Sequence, residues 1–225
     1  MQRSSAARIA LACSLLFTAA ACSREADAEA TGPGTALTTS SYPLSLNGKH
    51  RRFLLVEGDV RIDGMKATVG HPVPQTALIT VGKASRAVLT LEAGSIIRLG
   101  ADTQASLGAT ARKQSSMKLL AGTIWSFFTR PTSYEVEGPN AVAGVRGTVF
   151  FVEAESKDST YICDCTGEVE VLGLEGAGTP QTLVSKDEHK GVRIKTGSKT
   201  NEPVAAKNHT ATEATELMKL LEQTK

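Results

Sequence analysis

The most informative stretch of the sequence is Gly144-Val145-Arg146-Gly147-Thr148-Val149-Phe150, which follows Pro139-Asn140-Ala141-Val142-Ala143. It sets two glycines three positions apart between two runs of strand-forming residues. Glycine adopts backbone angles that other residues resist, so the motif predicts a sharp bend in which Gly144 and Gly147 are required by the backbone.

The same bend is expected to hold Arg146 at a fixed place, with Thr148 beside it. Arg146 either pairs with a carboxylate and locks the bend, or offers its planar guanidinium to a partner protein or an anionic ligand. The carboxylates considered for the locking role are Glu135, Glu137 and Glu153.

Outward from the bend, residues 53–173 alternate with period two. Val169 and Val171 alternate with Glu168 and Glu170, and glycines recur between such runs. Alternation of this kind indicates short strands with one buried face, and therefore an all-β domain built as a sandwich, a barrel or a solenoid. Trp125 and Phe127 lie two apart on one predicted strand, so they should point the same way and pack in the core.

Several strand-and-glycine segments, taken in order, resemble a FecR-type domain from about Val56 to Leu172. They are Gly58-Asp59-Val60, Leu78-Ile79-Thr80-Val81-Gly82, Ala87-Val88-Leu89-Thr90-Leu91, Gly94-Ser95-Ile96-Ile97-Arg98-Leu99, Leu120-Ala121-Gly122-Thr123-Ile124-Trp125, the Gly-Val-Arg-Gly-Thr motif, and Gly167-Glu168-Val169-Glu170-Val171. The resemblance implies an extracytoplasmic β-solenoid-like roll, with a β-sandwich as the alternative.

The N-terminus has the features of a bacterial lipoprotein signal. Arg3 and Arg8 precede an apolar run too short to span a bilayer, and Ala19-Ala20-Ala21 leads into Cys22. We expect a signal peptide over 1–21, lipidation of Cys22, and a flexible Ala/Thr/Ser/Gly/Pro-rich tether over 22–45. The alternative is an ordinary secretory signal that leaves Cys22 as a spare thiol. Ser23 favours the outer membrane, with the domain facing the periplasm.

The remaining boundaries follow the pattern of the chain. The FecR-type β-domain is placed at 46–175, a β-extension and linker at 176–203, and a helical tail at 204–225. Leu217, Leu220 and Leu221 share one face of that helix, which is predicted to cap the β-domain.

Composition argues against nucleic acid as a partner. Two of the 25 basic residues lie in the predicted signal, which leaves 23 to balance 23 acidic residues, and aromatic residues make up only 4% of the chain. No nucleophile elbow, phosphate loop or paired-carboxylate arrangement appears, so we expect no enzymatic activity.

Cys163-Asp164-Cys165 is the one constellation that suggests chemistry. Residues two apart on a strand project to one face, so the two sulfurs should be neighbours. They form an oxidisable or disulfide pair, bind a soft metal ion with His189 as a third ligand, or pack as small apolar residues. The four histidines of the chain show no metal-ligand spacing among themselves.

These observations leave two main hypotheses of function, beside a purely structural role in envelope assembly. In the first, the protein is a membrane-tethered, non-enzymatic interaction or sensing module of the cell envelope that binds another envelope protein and needs no cofactor. In the second, it is a redox- or metal-responsive lipoprotein that acts through Cys163 and Cys165. FecR-type regulators of iron uptake relay transporter occupancy to an anti-sigma activity across the inner membrane. The sequence offers no segment for that step, so only the fold and an interaction surface are expected to carry over.

Overall fold

A computed structural model of the chain describes residues 51–92, 94–108, 116–128, 133–146, 149–186, 188–222 and 224, with residues 92, 133 and 146 described by their backbone alone. The strands are β1 (Arg52–Glu57), β2 (Val60–Ile62), β3 (Met65–Lys66), β4 (Ala77–Val81), β5 (Arg86–Glu92), β6 (Ser95–Leu99), β7 (Gln104–Leu107), β8 (Ser116–Phe128), β9 (Ser133–Glu137), β10 (Ala141–Arg146), β11 (Val149–Ser156), β12 (Ser159–Gly173), β13 (Gln181–Ser185), β14 (Lys190–Lys195) and β15 (Glu202–Val204), followed by the helix α1 (Ala211–Glu222).

The strands form two sheets that share two long strands. The first sheet runs β1-β5-β6-β8-β11-β12-β14-β15, and the second runs β3-β2-β4-β7-β8-β9-β10-β12-β13. The N-terminal half of β8 pairs in the second sheet and its C-terminal half in the first. The N-terminal half of β12 pairs in the first sheet and its C-terminal half in the second.

A glycine marks the point where each long strand changes sheets. Gly122 in β8 has φ +80°, and Gly167 in β12 has φ +112°. A Cβ on Gly122 would lie 2.5 Å from Cα of Thr103, so both the backbone angle and the space demand glycine there. A strand bent at such a point can contribute to two sheets that face one core.

The all-β class and the short C-terminal helix are confirmed, but the solenoid-like roll is not. Coils of a solenoid stack through parallel pairs, whereas the described strand pairs are antiparallel except for β8 with β9. The sandwich alternative does not describe the fold either, because β8, β9, β10, β12 and β11 pair in a closed ring. The protein is a closed five-stranded barrel, and the remaining strands extend it through β8 and β12.

Two apolar clusters stabilise the fold. The larger lies between the sheets and includes Ile79, Leu107 and Val136 from the second sheet and Leu99 and Val152 from the first. The smaller lies on the outer face of the first sheet and comprises Val88, Ile96, Trp125, Phe127, Phe151, Tyr161, Cys163, Cys165, Leu217 and Leu221.

Helix α1 covers this outer face. Thr210 and Glu213 cap its first turn, because the Thr210 hydroxyl accepts the Glu213 N–H and the Glu213 carboxylate accepts the Thr210 N–H, at 3.3 and 3.1 Å. Leu217 and Leu221 are buried against the sheet. The predicted helix and its apolar face are confirmed, and the helix packs on a sheet face rather than at an end of the domain.

Trp125 and Phe127 point the same way, as predicted, with ring centroids 5.1 Å apart. They lie beneath α1 in the outer cluster and not in the central core. Over the described part of the chain, no helix is both long and apolar enough to cross a membrane.

Candidate metal centre

Strand β12 brings Cys163 and Cys165 to the outer face of the first sheet. Both side chains are buried there, beside Phe151 and Tyr161. The prediction that the two sulfurs lie on one face is confirmed.

His189 reaches the cysteines through the pairing of β14 with β12. In this register Lys190 lies opposite Asp164 and Gly191 opposite Cys163. His189, one residue before Lys190, therefore comes beside the cysteines, and its Nδ1 lies 3.8 Å from Sγ of Cys163. Its side chain is exposed, so the cluster opens to solvent on this side.

The segment between β15 and α1 supplies His209. Lys207 fixes this segment by ion pairs to Glu153 and Glu155, at 2.9 and 2.7 Å. Asn208 adopts φ +60°, a left-handed angle that asparagine tolerates better than most residues, and its amide donates to Glu153. The chain then turns inward, and His209 is only 8% exposed.

Aromatic rings hold the imidazole of His209. It stacks on Phe151 with ring centroids 4.7 Å apart and meets Trp125 at 5.2 Å in an edge contact. The ring of His189 lies nearly parallel to that of His209, at 17°, with centroids 5.0 Å apart and nitrogens in contact. His209 therefore lies between the aromatic rings of the sheet and His189.

The four side chains converge on one point. One ligand atom from each of Cys163, Cys165, His189 and His209 lies within 4.8 Å of the other three. Sγ of Cys165 lies 3.4 Å from Nε2 of His209, and the two imidazole nitrogens lie 2.9 Å apart. A tetrahedral zinc site with ordinary bond lengths would separate sulfur from nitrogen by about 3.6 Å and the nitrogens by about 3.3 Å.

The hydrogen bonds define which imidazole nitrogens are free to bind. Nδ1 of His209 lies 2.6 Å from the carbonyl oxygen of Lys207, which can only accept, so Nδ1 carries the proton and Nε2 presents a lone pair to the cluster. The short contact between the histidines then makes Nδ1 of His189 the donor to Nε2 of His209.

The two thiols do not titrate alike. Their mutual hydrogen bond, joined by contacts to His209 and Tyr161, lowers the pKa of Cys163 below its usual range. The same bond, together with burial, raises the pKa of Cys165. The pair therefore favours one thiolate and one thiol.

Of the residues predicted from sequence, the structure brings together Cys163, Cys165 and His189. The disulfide interpretation is not supported, because both cysteines are free thiols on one extended strand. Sequence reasoning missed His209, which completes the set. Two cysteines and two histidines make a full tetrahedral complement, but nothing in the spacing of the four histidines singles out His209.

The structure does not place Gly144 in the predicted bend. Gly144 lies inside β10 and pairs with strands on both sides, and a Cβ there would make only ordinary contacts. Gly144 is thus part of a strand and not of a bend. Arg146 ends β10, but its side chain, like Gly147, Thr148 and Cys22, lies outside the described residues. Of its suggested partners, Glu137 pairs with Lys118 and Glu153 with Lys207.

Part of the β-domain matches a known protein family. Residues 77–170 match the sequence model of a family described as FecR protein. The match begins with β4 and ends within β12, so the similarity to this family covers that part of the chain. The cysteines of the cluster lie inside the matched part, whereas His189 and His209 lie beyond it.

Two crystal structures of a candidate anti-sigma factor from Parabacteroides distasonis ATCC 8503 are similar to this chain. For one the identity is 18% and the TM-score 0.47, over 63% of this chain and 64% of that one. For the other the identity is 19% and the TM-score again 0.47, over 64% of each chain. The chain thus spans just under two thirds of the length of these proteins. No curated protein sequence matches it.

Proposed function

We propose that this protein is a sensing or signalling module of the cell envelope that acts by binding and not by catalysis. The FecR match over residues 77–170 carries this proposal, because the matched residues include β4 to β11 and most of β12. The sequence-based expectation of a FecR-type domain is confirmed, and the finer parts of the function are inferred from the sequence.

Those finer parts concern where the module works. A lipid on Cys22 would tether the β-domain to the outer membrane, facing the periplasm, through the flexible residues 22–45. The partner would be another envelope protein, with no role for nucleic acid.

The anchor is tested by the intact mass of the protein extracted from membranes, with Cys22→Ser as the control. A diacylglycerol-bearing Cys22 and a released Cys22→Ser variant support the tether. An unmodified mature protein in the soluble fraction contradicts it.

The partner is tested by cross-linking in intact cells. The tethered protein should give a discrete cross-linked species that the Cys22→Ser variant forms less well. If extensive surface cross-linking yields only the monomer, the interaction module is refuted.

The second hypothesis, a protein that responds through Cys163 and Cys165, has a redox form and a metal form. The redox form has no direct support, because no disulfide joins the two residues. The metal form is favoured by one specific observation, the convergence of four ligand atoms within 4.8 Å.

A further inference from the structure

We propose that Cys163, Cys165, His189 and His209 bind one zinc ion, and that this ion fastens the C-terminal segment to the FecR domain. The inference goes beyond the proposed function, since it needs neither the lipid anchor nor a partner. Its failure and that of the proposed function are therefore separable.

The set of ligands fits zinc. Two thiolates and two imidazoles in tetrahedral arrangement are characteristic of Zn²⁺, whereas Cu⁺ favours sites richer in sulfur. The separations of sulfur from nitrogen in the structure, 3.4 and 3.8 Å, bracket the value of about 3.6 Å expected around zinc.

Neighbouring residues set the tautomer and the orientation of His209. The carbonyl of Lys207 holds His209 in the tautomer that presents Nε2, which is the usual outer support of a zinc-binding histidine. Phe151 and Trp125 fix the orientation of that ring. The exposed His189 gives the ion access from solvent, and its ring must exchange the Nδ1 proton for the metal.

Zinc takes the place of protons at its ligands. The ion forms two bonds to sulfur and two to nitrogen. A proton leaves to water from each thiol that is still protonated, whereas the proton on Nδ1 of His189 moves to Nε2 and the ring stays neutral. No oxidant or reductant takes part. Four protein ligands leave no open position, which is the pattern of a structural rather than a catalytic zinc.

The position of the site gives the ion a mechanical role. The cysteines belong to β12 within the family match, whereas His189 and His209 follow it, and His209 lies two residues before α1. An ion bound to all four joins the C-terminal segment to the sheet and holds α1 over Trp125 and Phe127. Zinc occupancy would therefore determine how firmly that apolar face is covered.

The experiment uses the full mature chain, reduced and stripped with a chelator, and titrates Zn²⁺ against a chromophoric competitor. We expect one ion per chain. Loss of an outer partner of a zinc ligand costs about 10–100-fold in affinity, so Cys163→Ser and His209→Ala should each weaken binding by more than about 100-fold. His71→Ala, which alters a histidine outside the cluster, should leave the affinity unchanged.

Hydrogen exchange on the same samples tests the fastening. Zinc should slow the exchange of residues 205–222 and leave β4 and β7 of the second sheet unaffected. Co²⁺ in the unaltered chain should give the absorption of a tetrahedral thiolate complex, which keeps the proposal testable if a variant fails to fold.

Three results would overturn the proposal. One is sub-stoichiometric or micromolar zinc binding, and another is equal weakening in His71→Ala and His209→Ala. The third is preferential binding of Cu⁺ that His209→Ala does not affect. Tight zinc binding without slower exchange in 205–222 would refute the fastening alone.

Discussion

The substitution Leu217→Ala should detach helix α1 without unfolding the sheets. Leu217 is 3% exposed and packs in the outer cluster, whereas its neighbour Met218 is 44% exposed. Leu217→Ala removes three carbons beyond Cβ, which at about 0.8 kcal/mol each amounts to about 2.4 kcal/mol of lost burial. An isolated helix of 12 residues is only marginally stable, so this loss should appear as local opening.

The assay is amide hydrogen exchange of metal-free protein, which reports the free energy of local opening. A loss of about 2–3 kcal/mol raises the opening equilibrium of α1 by roughly 30- to 150-fold. The amides of β6 should keep their protection. Met218→Ala is the matched control, and its effect should stay within about 0.5 kcal/mol. Equal, small effects of both substitutions would refute the packing of α1 on the first sheet.

Two further predictions concern the framework. Gly122 and Gly64 share φ +80°, but only Gly122 is crowded by Thr103. In urea unfolding, Gly64→Ala should lower the free energy of unfolding by about 1–2 kcal/mol, and Gly122→Ala should lower it by at least about 2 kcal/mol more. Equal costs would show that β8 makes no close approach at its change of sheet. The Arg193 guanidinium lowers the pKa of Glu155 to about 2. The ionised carboxylate therefore adds at most about 3 kcal/mol to the free energy of unfolding, in full above pH about 4.5, and this stabilisation is lost as the pH falls towards 2. Glu155→Gln should therefore be less stable at neutral pH and should converge on the unaltered protein in acid; a constant difference between the two would contradict the ion pair.

Much of the fold could be predicted from the alternation of side chains. Alternation shows which residues share a face, and it placed Trp125 with Phe127 and Cys163 with Cys165. It does not show whether a neighbouring strand runs parallel or antiparallel, so the solenoid expectation rested on the family resemblance alone. The change of sheet at Gly122 depends on a close approach to Thr103 on a neighbouring segment, which local sequence does not encode.

The candidate site could be predicted only in part. Cys163 and Cys165 are neighbours by local geometry, but His209 lies 44 residues after Cys165 and arrives through the return of the chain along β14 and β15. The Lys207 ion pairs to Glu153 and Glu155 then fix its approach. Such a meeting is set by tertiary pairing, and spacing along the chain gives no measure of it.

X-ray absorption at the zinc edge of the zinc-loaded protein identifies the atoms that bind the ion. If Cys163, Cys165, His189 and His209 bind it, the spectrum should show two sulfur neighbours at about 2.3 Å and two nitrogen neighbours at about 2.0–2.1 Å. A shell of oxygen and nitrogen without sulfur, or a sulfur count unchanged in Cys163→Ser, would contradict this set of ligands.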